Sequence, residues 1–254
     1  MDRATSRIIA ALGFALISLL FLSETLLCAQ PTAEEILAEV RKLFEGIDDY
    51  TVEVIANVDM PGLRAPEMRA KLYCKSPDKL HVESTGLSIL PREGVAPDPD
   101  RFVDRFSSRL DGEEDLEGRA VYRVRLIPKK EFKGEFETVL LVDVERFVVW
   151  KIEKLNEGEP FLTVDFKYEL VEDRFFLPSQ SRAELFIARL PGRAGEGYLS
   201  GPGREEIESL FSEEDKSPPK SGYATVRFED YRINIGLADS LFEQQGQAKD
   251  RKRR

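Results

Sequence analysis

Tyr50-Thr51-Val52-Glu53-Val54-Ile55-Ala56-Asn57-Val58, stopped by Pro61-Gly62 and answered by Met68-Arg69-Ala70-Lys71-Leu72-Tyr73-Cys74-Lys75, decides the architecture of this chain. In the first run Tyr50, Val52, Val54, Ala56 and Val58 occupy every second position. In the second, Met68, Ala70, Leu72 and Cys74 do so, while Arg69, Lys71, Tyr73 and Lys75 take the other side. Side chains alternate across a strand, so this spacing predicts two strands sharing one apolar face, joined at the Pro-Gly turn. A third run over residues 79–84 places Leu80 and Val82 inward and leaves His81 with Glu83 on the polar, solvent-facing side.

Upstream the rhythm changes to helical spacing, with Ile36, Leu37, Val40, Leu43, Phe44 and Ile47 on one stripe. Thr32 and Glu35 form a capping box at its start, and Gly46 stands where a left-handed stop belongs. Downstream, strands are predicted over residues 119–128, 137–144, 147–155, 161–171, 174–190 with a break near Pro178, and 223–235. Asn156-Glu157-Gly158 and Glu172-Asp173 serve as turns between them. Two stretches interrupt this meander. Residues 87–110 carry Pro91, Pro97 and Pro99, and then Phe102, Val103, Phe106 and Leu110 at helical spacing, which predicts a short amphipathic helix. Residues 191–220 are rich in Gly and Pro, with Ile207, Leu210 and Phe211 for a helical turn or two; an insertion of that length is a lid or a disordered segment. A short amphipathic end follows over 237–242. The fold class is α+β, mostly antiparallel β.

At the amino terminus, Arg3 and Arg7 precede an apolar run over residues 8–22 and a small-residue exit near Ala29, the pattern of a secretory signal over residues 1–29. Glu24 cuts the run short of a membrane span. Leu27 ahead of Cys28 departs from the small residue that a lipoprotein signal needs before its modified cysteine. Residues 30–245 then form one domain, interrupted by the 191–220 insertion. With Cys28 removed only Cys74 remains, so the fold rests on burial and not on a disulfide. The formal net charge is -10, which with export argues against nucleic acid as a partner. Residues 246–254, ending Lys249, Asp250, Arg251, Lys252, Arg253 and Arg254, form a basic tail, read as a disordered terminus or as a contact for anionic headgroups or an acidic partner.

Little in the chain points to catalysis. His81 is the only histidine and reads as exposed, so neither a Ser-His-Asp triad nor a two-histidine zinc site can be assembled. Ser200 lacks the preceding glycine of a nucleophile elbow. Asp111 to Glu117 and the set Asp98, Asp100 and Asp104 offer oxygen ligands for calcium, but the first reads more simply as a hairpin turn closed by Gly118. Cys74 on an apolar face reads as an inert core thiol. We expect no enzyme, no cofactor and no metal.

The helix over 33–44, the strand-turn-strand through Pro61-Gly62, the Lys75-Ser76-Pro77-Asp78-Lys79 turn, Phe176-Leu177-Pro178-Ser179 and the closing Phe228-Glu229-Asp230-Tyr231-Arg232-Ile233-Asn234 occur together in an order that resembles the LolA-like family of periplasmic lipoprotein carriers and outer-membrane lipoprotein-sorting proteins. The resemblance spans nearly the whole mature chain, apart from the insertion and the basic tail. It implies an incomplete, strongly curved antiparallel half-barrel, with helices on its concave side and an apolar interior that receives lipoprotein acyl chains. The residues agree physically: one strong helix is too little to cover the apolar face of about ten strands. The expected lipid-binding residues are Val52, Val54, Ala56, Met68, Ala70, Leu72, Leu80, Val82 and Trp150, the last of which either lines a cavity or fills a core. The expected role is that of a monomeric periplasmic carrier of acyl chains or another lipid toward the outer membrane, served by membrane-bound donor or acceptor proteins. The alternative is an envelope sensor or scaffold of the same fold that binds a protein partner.

Overall fold

A computed structural model describes residues 30–59, 66–76, 79–84, 105–130, 136–186 and 221–242. The chain divides into two compact units, Met1–Pro31 and Thr32–Arg254, and the second carries every element below. The predicted signal over 1–29, the proline-rich part of the 87–110 stretch, the 191–220 insertion and the 246–254 tail lie outside the described residues.

Helix α1, Ala33–Lys42, begins as its sequence dictates. The Thr32 hydroxyl accepts the Glu35 N–H at 3.2 Å, and the Glu35 carboxylate accepts the Thr32 N–H at 2.7 Å. Each satisfies a helix-end group that would otherwise lack a partner, and these contacts hold the Glu35 carboxyl below its usual range. Ala33, Ile36, Leu37 and Val40 are buried. Gly46 at φ 85° turns the chain into the sheet.

Ten antiparallel strands follow: β1 (Asp49–Asp59), β2 (Met68–Lys75), β3 (Lys79–Ser84), β4 (Phe106–Leu116), β5 (Arg119–Pro128), β6 (Glu137–Asp143), β7 (Val149–Asn156), β8 (Glu159–Val171), β9 (Phe175–Leu185) and β10 (Gly222–Ile233). They form one sheet in the order β3-β2-β1-β10-β9-β8-β7-β6-β5-β4. The chain meanders from β4 to β10, and β1 then pairs with β10. β3 and β4 are the two edges, so the sheet does not close; it is an incomplete, curved barrel with few helices.

Two local expectations need correction. Phe106 and Leu110 belong to β4 and not to a helix; both stand on the same face of the strand, with Ser108 between them. Residues 111–116 continue that strand, and the turn is the pair Glu117-Gly118, both at positive φ. Polar Ser108 at the position between Phe106 and Leu110 gave that pair a helical look, and a bulge between Leu110 and Gly112 then resets the alternation. The strand near Pro178 likewise stays continuous, because a register shift between Lys167 and Tyr168 on β8 absorbs the irregularity.

The outward face is ionic. Asp111 binds Arg109 and Arg125, Arg125 also binds Glu137, and Arg123 bridges Glu114 and Glu153 at 3.3 and 3.0 Å. Partial burial pushes the Asp111 carboxyl up, but its two arginines outweigh that and hold it below the usual range. Of this acidic run, Asp111 and Glu114 are thus paired with guanidinium groups, and Asp115 accepts the Gly118 N–H at 2.9 Å. Among the described residues no group of three or more His, Cys, Asp or Glu side chains converges to hold a metal.

Candidate functional site

The inward face is built from cross-strand rows. One runs Leu110, Val124, Leu140, Ile152, Val164, Ala183, Ala224 and Val58, crossing eight strands. The next runs Phe166, Ser181, Val226, Ala56 and Met68, and beyond it stand Phe228, Val54 and Ala70. Two clusters share this face. The first holds α1 together with Phe106, Leu126, Leu140, Ile152, Phe161, Leu162 and Phe166. The second, on β1, β2 and β10, holds Val52, Val54, Ala56, Met68, Ala70, Leu72, Val226 and Phe228, with Leu80 and Val82 packed against it. Ala224 touches both, so the apolar surface is continuous.

α1 belongs only to the first cluster. A helix of ten residues is about 15 Å long, whereas ten strands spaced ~4.8 Å apart span roughly 43 Å of sheet. Among the described residues, every side chain of the second cluster comes from a strand. Its eight buried members include two alanines, Ala56 and Ala70, beside Val52, Val54, Met68, Leu72, Val226 and Phe228, whereas Ala183 on β9 belongs to the first cluster with α1.

Eight of the nine residues expected from the sequence therefore stand together on one wall. Trp150 does not. It packs with Val121, Val139, Leu141 and Leu155 in a separate cluster, donates its indole N–H to Asp143 at 2.9 Å, and lies under the Arg119 guanidinium at 4.3 Å. The cause is a register shift: Leu141 pairs with Lys151 but Val142 with Val149, so Trp150 is the extra residue of a bulge and loses its alternation. Burial pushes the Asp143 carboxyl up, but the Trp150 indole and the N–H groups of Arg146 and Glu145 outweigh it and hold it below the usual range.

Cys74 sits at the margin of the wall, half-buried opposite Tyr50 and in no disulfide. His81 lies on the polar side as expected, with Tyr73 5.6 Å away and Glu83 Oε1 3.8 Å from Nε2. It is not solvent-facing, however: its side chain is only 15% exposed, and its Nδ1 is buried without a hydrogen-bond partner.

A clasp fixes one end of the wall. Asp49, 4% exposed, accepts the N–H groups of Ile235 at 2.8 Å, Gly236 at 3.1 Å and Leu237 at 2.9 Å. Asn234 accepts the Asp48 N–H and donates to the Gly46 carbonyl, both at 2.7 Å. Lys75 and Lys79 then reach Asp239 at 2.8 and 2.9 Å. The segment after β10 is thus tied to the start of β1 and to the β2–β3 hairpin. Beside it, the Tyr231 hydroxyl donates to the Pro178 carbonyl at 2.7 Å, and burial pushes that phenol well above its ordinary range.

The open ten-stranded sheet, the single described helix and the continuous inner face can be set against known structures. This fold is shared with LolA-superfamily structures. The chain is similar to a LolA superfamily protein from Nitrosomonas europaea, at 14% identity and TM-score 0.52, with 84% of this chain and 97% of that one covered. It is also similar to a DUF1329 family protein from Desulfovibrio piger, at 13% identity and TM-score 0.56, covering 84% and 97%. A third is a Vibrio parahaemolyticus domain provisionally named an outer membrane lipoprotein-sorting protein, at 14% identity and TM-score 0.53, covering 84% and 98%. At such identities the likeness is one of fold. No protein-family model matches the chain, and no curated protein is significantly similar to it in sequence.

Lys154 escaped the sequence reading. It is a charged residue on the inner face, paired with Thr138 on one side and Leu162 on the other and 8% exposed. Its parity with Ile152 was a signal for its position. The polar residues alternating around it obscured that signal.

Proposed function

We propose that this protein binds the acyl part of a lipid on the wall formed by β9, β10, β1, β2 and β3, and carries it through the cell envelope. The observation that carries the reading is the extent of that wall beyond α1: among the described residues its apolar side chains all come from strands, a lining suited to a guest chain. Each buried methylene of such a guest contributes about 0.8 kcal/mol, so an acyl chain is held without a directional contact. The printed name of the Vibrio domain, a lipoprotein-sorting protein, and the apolar run over 8–22 support an envelope carrier whose cargo includes lipoprotein acyl chains. Its chemistry is transfer by binding, with no covalent step.

Native mass spectrometry of the protein purified without detergent from a bacterial periplasm, followed by organic extraction, tests this. The expected result is a stoichiometric lipid mass, or uptake of an added acylated peptide. A bare mass that also ignores acylated ligands would remove the carrier reading and leave a scaffold that binds a protein partner.

A further inference from the structure

We infer that the outer face carries a docking strip for a protein segment that presents an apolar side chain between two carboxylates. The strip crosses three strands, close to the turns that join β6 to β7 and β8 to β9. Trp150 on β7 meets Tyr168 on β8 edge-on with ring centroids 5.4 Å apart, and Tyr168 stacks on Phe176 of β9, also at 5.4 Å. Phe176 stands on the side of β9 opposite the buried Phe175 and Leu177, and it pairs across the strands with Leu170. Leu170 is 57% exposed, the most open large apolar side chain among the described residues. The Arg119 guanidinium lies 4.3 Å from the centre of the Trp150 ring and the Arg146 guanidinium 5.5 Å from that of Phe176, and both arginines are exposed.

Elsewhere on this face arginines pair with carboxylates, Arg125 with Asp111 and Arg123 with Glu114 and Glu153. Among the described residues Arg119 and Arg146 make no ion pair. Asp143 feels the Arg146 charge, but its oxygens already accept the Trp150 indole and the N–H groups of Glu145 and Arg146. A ring contact leaves guanidinium donors without an anion, and a carboxylate supplies one. Tryptophan, tyrosine and arginine around an exposed apolar group are also the residues that dominate the energy of protein interfaces. The flanking turns decide between a segment and a membrane. They carry Glu117, Glu145, Glu172 and Asp173, all exposed, which a broad anionic bilayer would meet and a narrow segment avoids. From Trp150 to Phe176 are two strand spacings, about 10 Å. An extended segment turns residues i, i+2 and i+4 to one side over about 13 Å, so two carboxylates reach the ends of the strip while the side chain between them covers its apolar middle.

Trp150 is the only tryptophan of the chain, so its emission reports on the strip. The full chain is titrated with the blocked peptide Asp-Thr-Leu-Thr-Asp, with its neutral counterpart Asn-Thr-Leu-Thr-Asn, and with phosphatidylglycerol vesicles. Wild type is expected to bind the acidic peptide about tenfold more tightly than the neutral one, the range of a charge-assisted contact. Arg119→Gln combined with Arg146→Gln should remove that preference and leave neutral-peptide binding unchanged, and Leu170→Ser should weaken both peptides alike. Arg227→Gln, which removes an exposed charge paired with Glu229, should keep the preference. Equal binding of the two peptides, no response to either, or an equal loss of preference in Arg227→Gln overturns the inference. A response to vesicles alone, removed by the two arginine substitutions, assigns the strip to a membrane and overturns it as well. If the combined variant proves unfolded, each single arginine variant carries the test, with a partial loss of preference expected and an unchanged preference in both overturning the inference. The acyl reading concerns the inner face and stands or falls separately.

Discussion

The inner face is one surface with two unlike halves. Under α1, strands β4 to β8 present Phe106, Leu126, Leu140, Phe161, Leu162 and Phe166, and helix and sheet fill each other's gaps. From β10 through β1 to β2, the face continues with Val52, Val54, Ala56, Met68, Ala70, Leu72, Val226 and Phe228, and no described helix joins that cluster. Apolar alternation is equally regular in both, so hydrophobicity does not separate them; the reach of α1 does.

The largest effect should come from breaking the packed half. Phe161 is 0% exposed and meets the Phe136 ring edge-on with centroids 5.0 Å apart. Phe161→Ala is expected to lower stability by about 3–5 kcal/mol through lost burial and a residual cavity. Urea unfolding followed by circular dichroism measures this, and a loss below about 1 kcal/mol would show that this half is loosely packed as well.

Next comes the clasp, which gives the helix-free half a fixed end. Asp49→Ala removes a buried acceptor of three backbone N–H groups and is expected to cost about 2–3 kcal/mol, the range for hydrogen bonds to a charged group. Amide hydrogen exchange should localise the damage to the end of β10 and the residues after it, leaving α1 protected. Uniform loss of protection would mean that the two halves unfold as one unit.

The third substitution addresses whether the boundary between the two halves is filled. Ala224 is partly buried where the two clusters meet. Ala224→Leu in a filled core would overpack it and cost about 1–3 kcal/mol. If the wall leaves room, stability changes by less than that while uptake of an acylated peptide falls. Denaturant midpoint and ligand uptake, measured on the same sample, read both. Strong destabilisation with unchanged uptake would contradict the proposed path of the guest.

These variants depend on positions that differ in how visible they were in the sequence. Strict alternation located β1, β2 and β3 to within a residue or so, because one side of each strand is buried and a one-residue slip would expose its whole apolar set. It failed on β4, where polar Ser108 between Phe106 and Leu110 left an apparent helical spacing, and at the shift by Leu141, which sent Trp150 off the wall. A bulge is fixed by pairing with a distant strand, and no local spacing records it. The grouping of Val52, Val54, Ala56, Met68, Ala70 and Leu72 was legible for the converse reason, since their hairpin is local. The split into a helix-covered and a helix-free half was not, because it depends on which strands α1 reaches across the chain. His81 shows a similar limit: parity gave its face correctly, whereas its low exposure depends on tertiary neighbours.

The smallest effect sharpens the clasp and concerns acid. Lys75 and Lys79 hold the Asp239 carboxyl down to about 2 by hydrogen bonding and charge, against an ordinary value near ~3.9 in an unfolded chain. A depressed folded value means that the unfolded state binds the proton first. The contribution is therefore present in full above about 4 and is lost as the pH falls toward about 2. Because Asp239 is exposed, the change in global stability should be slight and further reduced by salt. The sensitive readout is an NMR titration of the Asp239 carboxyl carbon, with a midpoint expected near 2 in wild type and raised toward the ordinary value in Lys75→Met. A wild-type midpoint near 4 would mean that the ion pairs to Asp239 add little, and that the segment after β10 is tied to the sheet by Asp49, Asn234 and the Lys75 ammonium, which donates to the Leu237 carbonyl at 2.7 Å.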